Sequence, residues 1–138
     1  MPAEPATVAR TMMKHDRASE SLGMTVLTNE PGHAVVTMTI RADMLNGFAI
    51  THGGFVFALA DTAFAIACND SDLVTVAAGA DITFLKATTA GDVLTATAIE
   101  RAKAGRSGIY DVEVLDAAGA IVAEFRGRSR RTSSPAPV

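Results

Sequence analysis

"HGGFVFALADTAFAIACND", from His52 to Asp70, is the most apolar segment of this 138-residue chain. Twelve of the fourteen residues from Phe55 to Cys68 are apolar, and Asp61 is the only charged one. The run is rich in Ala and Leu and has no internal Gly or Pro, so it predicts a helix. Because apolar residues occupy every side of that helix, we expect the rest of the protein to enclose it.

Composition limits the class of protein. With 49% hydrophobic and 20% charged residues, the chain is globular rather than disordered, and its length suits one domain with a substantial core. We therefore treat residues 1–138 as a single domain with loose ends at 1–7 and 132–138. The net charge of -3 argues against a surface devoted to nucleic acid.

Cysteine usage and the N-terminus indicate a compartment. The single cysteine, Cys68, excludes an intramolecular disulfide and cannot by itself form a zinc cluster, as is typical of a reducing cytoplasm. We interpret it as a small core residue. The start of the chain lacks the layout of a secretory signal, and the longest apolar run is too short to span a bilayer. The expectation is a soluble, cytoplasmic protein with no membrane partner.

Alternating patterns surround the central helix. Residues 8–22 predict a short amphipathic helix or two helical turns. Residues 24–40 predict a strand, a turn at 30–32 and a second strand, and four more strand patterns follow. Short connections between them favour antiparallel pairing. The most economical arrangement is an α+β fold in which one antiparallel sheet curls around the central helix. The later strand patterns cover residues 73–85, 92–102, 108–116 and 120–130, the last two joined by a hairpin turn at 117–119.

Asp61 is the residue that the apolar helix does not explain. An unpaired carboxylate in apolar surroundings is destabilising by several kcal/mol. Asp61 could pair with a buried arginine, lie where the helix meets water, or line an active cleft in which altered basicity is useful.

Two glycines stand at the beginning of the helix. The first backbone N–H groups of a helix have no helical partner, and the absence of side chains at Gly53 and Gly54 leaves them accessible. Such donors suit a phosphate or the oxyanion formed when a carbonyl is attacked. The alternative is that both are ordinary loop residues.

The spacing of Gly53 and Asp61 has a geometric consequence. Eight residues of helix separate them by roughly 12 Å, too far for both to act on one carbonyl within one chain. If two such helices run antiparallel across a two-fold axis, each Asp61 lies beside the other chain's Gly53. The hypothesis is therefore an obligate dimer with shared sites.

The segment "LNGFAITHGGFVFALADTAFAIACN", Leu45 to Asn69, resembles the core motif of hotdog-fold acyl-CoA thioesterases, closest to the phenylacetate-degradation (PaaI) type. "HAVVTMTI", "DVLTATA" and "FRGRS" also resemble strands of that family. The resemblance implies a sheet around a long helix, active sites at a dimer interface, and a homotetramer built from two dimers. It implies hydrolysis of an aromatic acyl-CoA such as phenylacetyl-CoA or its hydroxylated forms, with no cofactor beyond the coenzyme A of the substrate.

The family's functional residues match four positions here. The resemblance implies that Asp61 is the catalytic acid, as nucleophile or general base, and that the Gly53 amide polarises the thioester carbonyl. Asn46 and His52 match positions that line the same pocket. Asn46 would orient water or the carboxylate, or only form an Asn-Gly turn. His52 would take part directly, or only fix the loop that enters the helix.

A site for the phosphates of coenzyme A is expected away from the chemistry. Arg126 and Arg128 alternate on one face of the last predicted strand, with Arg130 continuing the series. Arg106 and Ser107 fall in a nearby turn. These residues, with Gly54, form the predicted substrate-binding set, unless the arginines only protect an edge strand. Asp81 lies within an apolar strand pattern, where it would cap a bulge or touch the pocket.

Two other functions compete. A hotdog-fold hydratase or dehydratase would set a histidine beside an acid, whereas His52 lies far from Asp61 in one chain. A non-catalytic acyl-CoA binding protein would gain little from an acid near the thioester.

Overall fold

The computed structural model describes residues 6–136. This part of the chain forms six strands, three α-helices and one 3-10 turn. The elements are α1 (Thr7–His15), α2 (Arg17–Ser21), β1 (Thr25–Glu30), β2 (His33–Thr39), the 3-10 turn (Ala42–Met44), α3 (Gly53–Cys68), β3 (Leu73–Phe84), β4 (Val93–Ala104), β5 (Ser107–Leu115) and β6 (Ile121–Pro135).

All six strands join one antiparallel sheet in the order β1-β2-β4-β5-β6-β3. The sheet wraps α3, which contacts every strand. The α+β fold expected from the sequence is confirmed. Because β3 pairs with β6 on one side only, it forms an open edge beside the helix that precedes it.

The core lies between α3 and the inner face of the sheet. Leu59, Ala63 and Phe64 on α3 are almost fully buried, as are the alternating residues of one face of β2. Gly127 of β6 allows this close packing, because a Cβ atom there would lie 2.7 Å from the ring of Phe64. The inward-facing residues around β2 are Ala34, Val36, Met38 and Ile40.

The ends of the domain differ from the expectation. β6 continues to Pro135, which pairs with Leu73, and the hydroxyl of Thr132 donates to the carbonyl of Val74 at 2.7 Å. The prediction of a loose tail from residue 132 is therefore wrong for 132–135. At the other end α1 begins at Thr7, while residues 1–5 and 137–138 lie outside the described part.

The predicted turn at 117–119 is confirmed as the β5–β6 hairpin. Gly119 adopts a φ of 86°, which favours glycine, and the carboxylate of Asp116 accepts hydrogen bonds from the amides of Ala118 and Ala120. Among residues 6–136, no helix has both the length and the apolar character needed to cross a membrane.

Candidate active site

Among the described residues, the first turn of α3 presents a backbone donor without a partner, the N–H of Gly53. The N–H of Gly53 makes no hydrogen bond within residues 6–136, whereas the N–H groups of His52 and Phe55 donate to the carbonyls of Met44 and His52. An unpaired N–H at the positive end of the α3 dipole suits an oxygen that develops negative charge. The helix start therefore presents a donor of the kind that an oxyanion requires.

His52 caps this helix. Its Nδ1 accepts a hydrogen bond from the N–H of Gly54 at 3.0 Å, so the structure gives His52 a local capping role. The same bond occupies the Gly54 amide, which corrects the expectation that both glycine amides are available to an anion.

Asn46 shapes the loop that precedes α3. Its Oδ1 accepts from the N–H of Phe48 at 2.9 Å, in a tight turn that places Ala49 at a φ of 61°. The turn role considered for Asn46 is thus present. Its Nδ2 group makes no hydrogen bond within the described residues and remains a donor at the cleft that Asn46 lines with Gly53.

A cleft of about 430 Å³ opens beside the beginning of α3. One part of its wall is apolar, formed by Ile50, Val56, Phe84 and Leu85. The ring of Phe84 lies against Gly53 and is 53% exposed. Sequence reasoning missed Phe84, and the only signal for it was the absence of a side chain at residue 53. The polar part of the wall contains Asn46, Thr51, Lys86 and Thr88.

Asp61 lies two turns further along α3, outside that cleft. It is half-buried and makes no hydrogen bond or ion pair with any residue of 6–136, so a structural pair with a buried arginine is not its role there. Burial, and then the charge of Asp16, raise the pKa of its carboxyl group. A raised pKa makes the Asp61 carboxylate a stronger base, which is the property that the active-cleft alternative calls for.

Two of the four arginines of β6 are engaged in ion pairs. Arg126 binds Asp111 through two hydrogen bonds of 2.7 and 3.0 Å, and Arg128 donates to Asp81 at 2.7 Å. Both are exposed on the face away from α3, as the predicted alternation requires. Asp81, for which the sequence left a bulge cap or a pocket contact open, is instead the partner of Arg128. The Arg128 guanidinium occupies the space above Gly79 at an irregularity of β3.

Arg106 and Ser107 lie at the β4–β5 turn, near the end of α3, and not beside Arg126 and Arg128 on the outer face. The guanidinium of Arg106 has no partner among the described residues, and the Ser107 hydroxyl accepts from Arg130 at 3.3 Å. The predicted phosphate-binding set is therefore divided between two regions.

Cys68 is confirmed as a core residue. It is 2% exposed, and burial raises the pKa of its thiol to about 12. In the part of the chain that the structure covers, no cluster of three or more His, Cys, Asp or Glu side chains could hold a metal ion.

Comparison with known proteins identifies the family. The sequence pattern of the thioesterase superfamily matches residues 48–127, more than half of the chain. Acyl-coenzyme A thioesterase PaaI of Escherichia coli strain K12 is 46% identical over 123 residues, which cover 89% of this chain and 88% of that protein.

Solved structures agree with the sequence comparison. The structure of the E. coli PaaI protein from the phenylacetic acid degradation operon superposes with a TM-score of 0.90, at 44% identity and 94% coverage of both chains. A variant of the phenylacetic acid degradation protein PaaI from Thermus thermophilus gives a TM-score of 0.81 at 39% identity, covering 85% of this chain and 100% of that one. With its hotdog fold and its sequence match over residues 48–127, this chain belongs to the thioesterase superfamily and is a thioester hydrolase.

Proposed function

We propose that this enzyme hydrolyses acyl-CoA thioesters with an aromatic acyl group, of the phenylacetyl type, to the free acid and coenzyme A. The observation that carries the proposal is the unpaired N–H of Gly53 at the start of α3, in a family that cleaves thioesters. The name of the E. coli relative supports coenzyme A as the thiol, and the origin of the solved relatives supports the acyl class.

The proposed reaction begins with the thioester oxygen accepting a hydrogen bond from Gly53. This donor stabilises the negative charge that forms on that oxygen. Asp61 then acts as general base toward water, or attacks the carbonyl carbon to form a mixed anhydride that water hydrolyses. Coenzyme A leaves as a thiolate, and no cofactor is required. Asn46 directs its free Nδ2 group toward the water or the carboxylate.

The active site is shared between two copies of the chain in this proposal. Gly53 and Asp61 are separated by roughly 12 Å of helix, so one thioester requires Gly53 from one protomer and Asp61 from its partner. The open edge of β3 supports self-association, since it exposes Val76 and Phe84 to 46% and 53%. Phe48 is 86% exposed on the loop before α3 and adds apolar surface there. We infer a homodimer, and a homotetramer of two such dimers.

Three further details follow. The apolar wall of the cleft, with the Phe84 ring against Gly53, suits an aromatic acyl group. Among the predicted phosphate-binding arginines, Arg106 is the one we assign to coenzyme A, because Arg126 and Arg128 already bind carboxylates. We place the enzyme in the cytoplasm, which agrees with its single reduced thiol.

Thiol release tests the proposal. Purified protein with phenylacetyl-CoA and a thiol-reactive dye is expected to release coenzyme A, and Asp61→Asn is expected to abolish release. Asp72→Asn, an exposed carboxylate without hydrogen bonds among the described residues, is the matched control and should retain activity. Binding of the ester without release would support the non-catalytic binding protein instead. Water addition to an enoyl-CoA would support the hydratase, which the capping bond of His52 disfavours.

A further inference from the structure

The joint between α1 and α2 is fixed to α3 one residue after Asp61. Asp16 caps α2: its Oδ1 accepts from the N–H of Ser19 at 2.9 Å, and its Oδ2 accepts from the Ser19 hydroxyl at 2.6 Å. The same hydroxyl lies 3.0 Å from the hydroxyl of Thr62, with both residues buried. A chain of hydrogen bonds, buried at Ser19 and Thr62, therefore holds the Asp16 carboxylate against the turn of α3 that carries Asp61.

Asp16 carries the same charge as Asp61 and has no counter-ion in the described part of the chain. It is half-buried and forms no ion pair with residues 6–136. The burial of Asp61, and after it the charge of Asp16, raise the pKa of the Asp61 carboxyl group. Among the described residues, Asp16 is the charged group that raises the pKa of Asp61, and the Cys68 thiol on α3 stays neutral because burial raises its pKa to about 12.

We propose that Asp16 is a positioning residue for hydrolysis: anchored through Ser19 to Thr62, it keeps a second negative charge beside Asp61 and favours the step in which Asp61 loses its own charge. This inference rests on the proposed function. It adds a residue from the N-terminal helices to the machinery, although Asp16 itself does not touch the substrate.

Negative charge leaves Asp61 whether it acts as a general base or as a nucleophile. As a base, Asp61 takes a proton from water; the water oxygen bonds to the carbonyl carbon, and the carbonyl electron pair moves to the oxygen beside Gly53. As a nucleophile, Asp61 forms the bond to carbon itself. The tetrahedral species then collapses, the C–S bond breaks and the thiolate leaves. Either way negative charge leaves Asp61 and its repulsion with Asp16 is relieved, which lowers the barrier.

Asp16→Asn is the central variant, because asparagine caps a helix as well as aspartate does but carries no charge. We expect the acid limb of its kcat/KM profile to move to lower pH and its plateau kcat to fall several-fold. Glu20→Gln, which removes an exposed charge from the same helix, is the control that should move neither. Asp16→Ser offers a second uncharged cap if the first variant is unstable.

A direct titration separates this inference from the proposed function. NMR of the side-chain carboxyl carbon (Cγ) of Asp61 follows the ionisation of that group without any turnover. We expect the midpoint of this pH titration to be lower in Asp16→Asn than in the wild type or Glu20→Gln. Equal midpoints, or a lower midpoint with unchanged kcat, would overturn the role of Asp16. A wild-type protein that releases no thiol would instead overturn the proposed function while leaving the titration interpretable.

Discussion

A Cβ atom on Gly53 would lie 2.9 Å from the Cζ atom of Phe84, closer than side chains tolerate. The glycine at the helix start therefore leaves its own amide accessible and also makes room for an aromatic ring from the end of β3. The two residues together form the boundary between the helix start and the cleft.

The first prediction concerns Gly53→Ala. The half-exposed ring of Phe84 can swing aside, so we expect the free energy of unfolding to fall by no more than about 1 kcal/mol. Hydrolysis should fall by at least ~10-fold, because the methyl group and the displaced ring crowd the Gly53 amide. Urea unfolding and thiol release measure the two effects.

The double variant Gly53→Ala, Phe84→Leu tests the steric origin of that loss. The smaller side chain removes the contact, so stability and part of the activity should return. Unchanged activity in Gly53→Ala alone would contradict the proposed approach of the thioester to this amide.

The second prediction concerns the effect of the Asp61 charge on the free energy of unfolding. Because the pKa of Asp61 is raised in the folded state, the folded protein binds a proton at Asp61 more tightly than the unfolded chain does. The free energy of unfolding therefore falls as the pH rises from the unfolded-state pKa of Asp61 through its folded-state pKa. Asp61→Asn should therefore be inactive yet more stable than the wild type at neutral pH. The difference should shrink as the pH falls below the ordinary carboxyl pKa of about 3.9.

Thermal unfolding between acidic and neutral pH measures this effect. Asp72→Asn is again the control, since it should leave the pH dependence unchanged. A less stable Asp61→Asn at neutral pH would show that the carboxylate has a partner in the assembled protein.

The third prediction separates capping from chemistry at His52. His52→Ala removes the acceptor for the Gly54 amide and should cost about 1 kcal/mol of stability. His52→Asn restores an acceptor and should recover both stability and most of kcat. An active-site role for the imidazole would appear as a stable His52→Asn protein with a large loss of kcat.

The fourth prediction concerns coenzyme A. Arg106→Ala should raise KM for an acyl-CoA several-fold with little change in kcat, because a phosphate contact far from the thioester contributes uniform binding. The increase should disappear with an acyl-pantetheine substrate, which lacks the nucleotide phosphates. Arg126→Ala, whose guanidinium binds Asp111, is the matched control with unchanged KM.

Much of the fold was predictable because its signals are local. The strands alternate with a period of two, and the apolar run of α3 is too uniform for a surface helix, so the sheet and its enclosed helix followed from patterning. Asp61 stood out for the same reason, as the single charge in that run. The cap formed by His52 and the turn formed by Asn46 involve near neighbours in sequence and were foreseen as alternatives.

The partners of these residues were not predictable, because they depend on register and packing between distant segments. Asp81 contacts Arg128 only because β3 pairs with β6 in one register. Since Arg128 is bound to Asp81, it is not free to bind a phosphate as the sequence predicted. Likewise, the sequence pointed to a functional acid at residue 61. The like charge of Asp16 beside it exists only because the α1–α2 joint docks on Thr62, and no local pattern specifies such a contact between segments far apart in the chain.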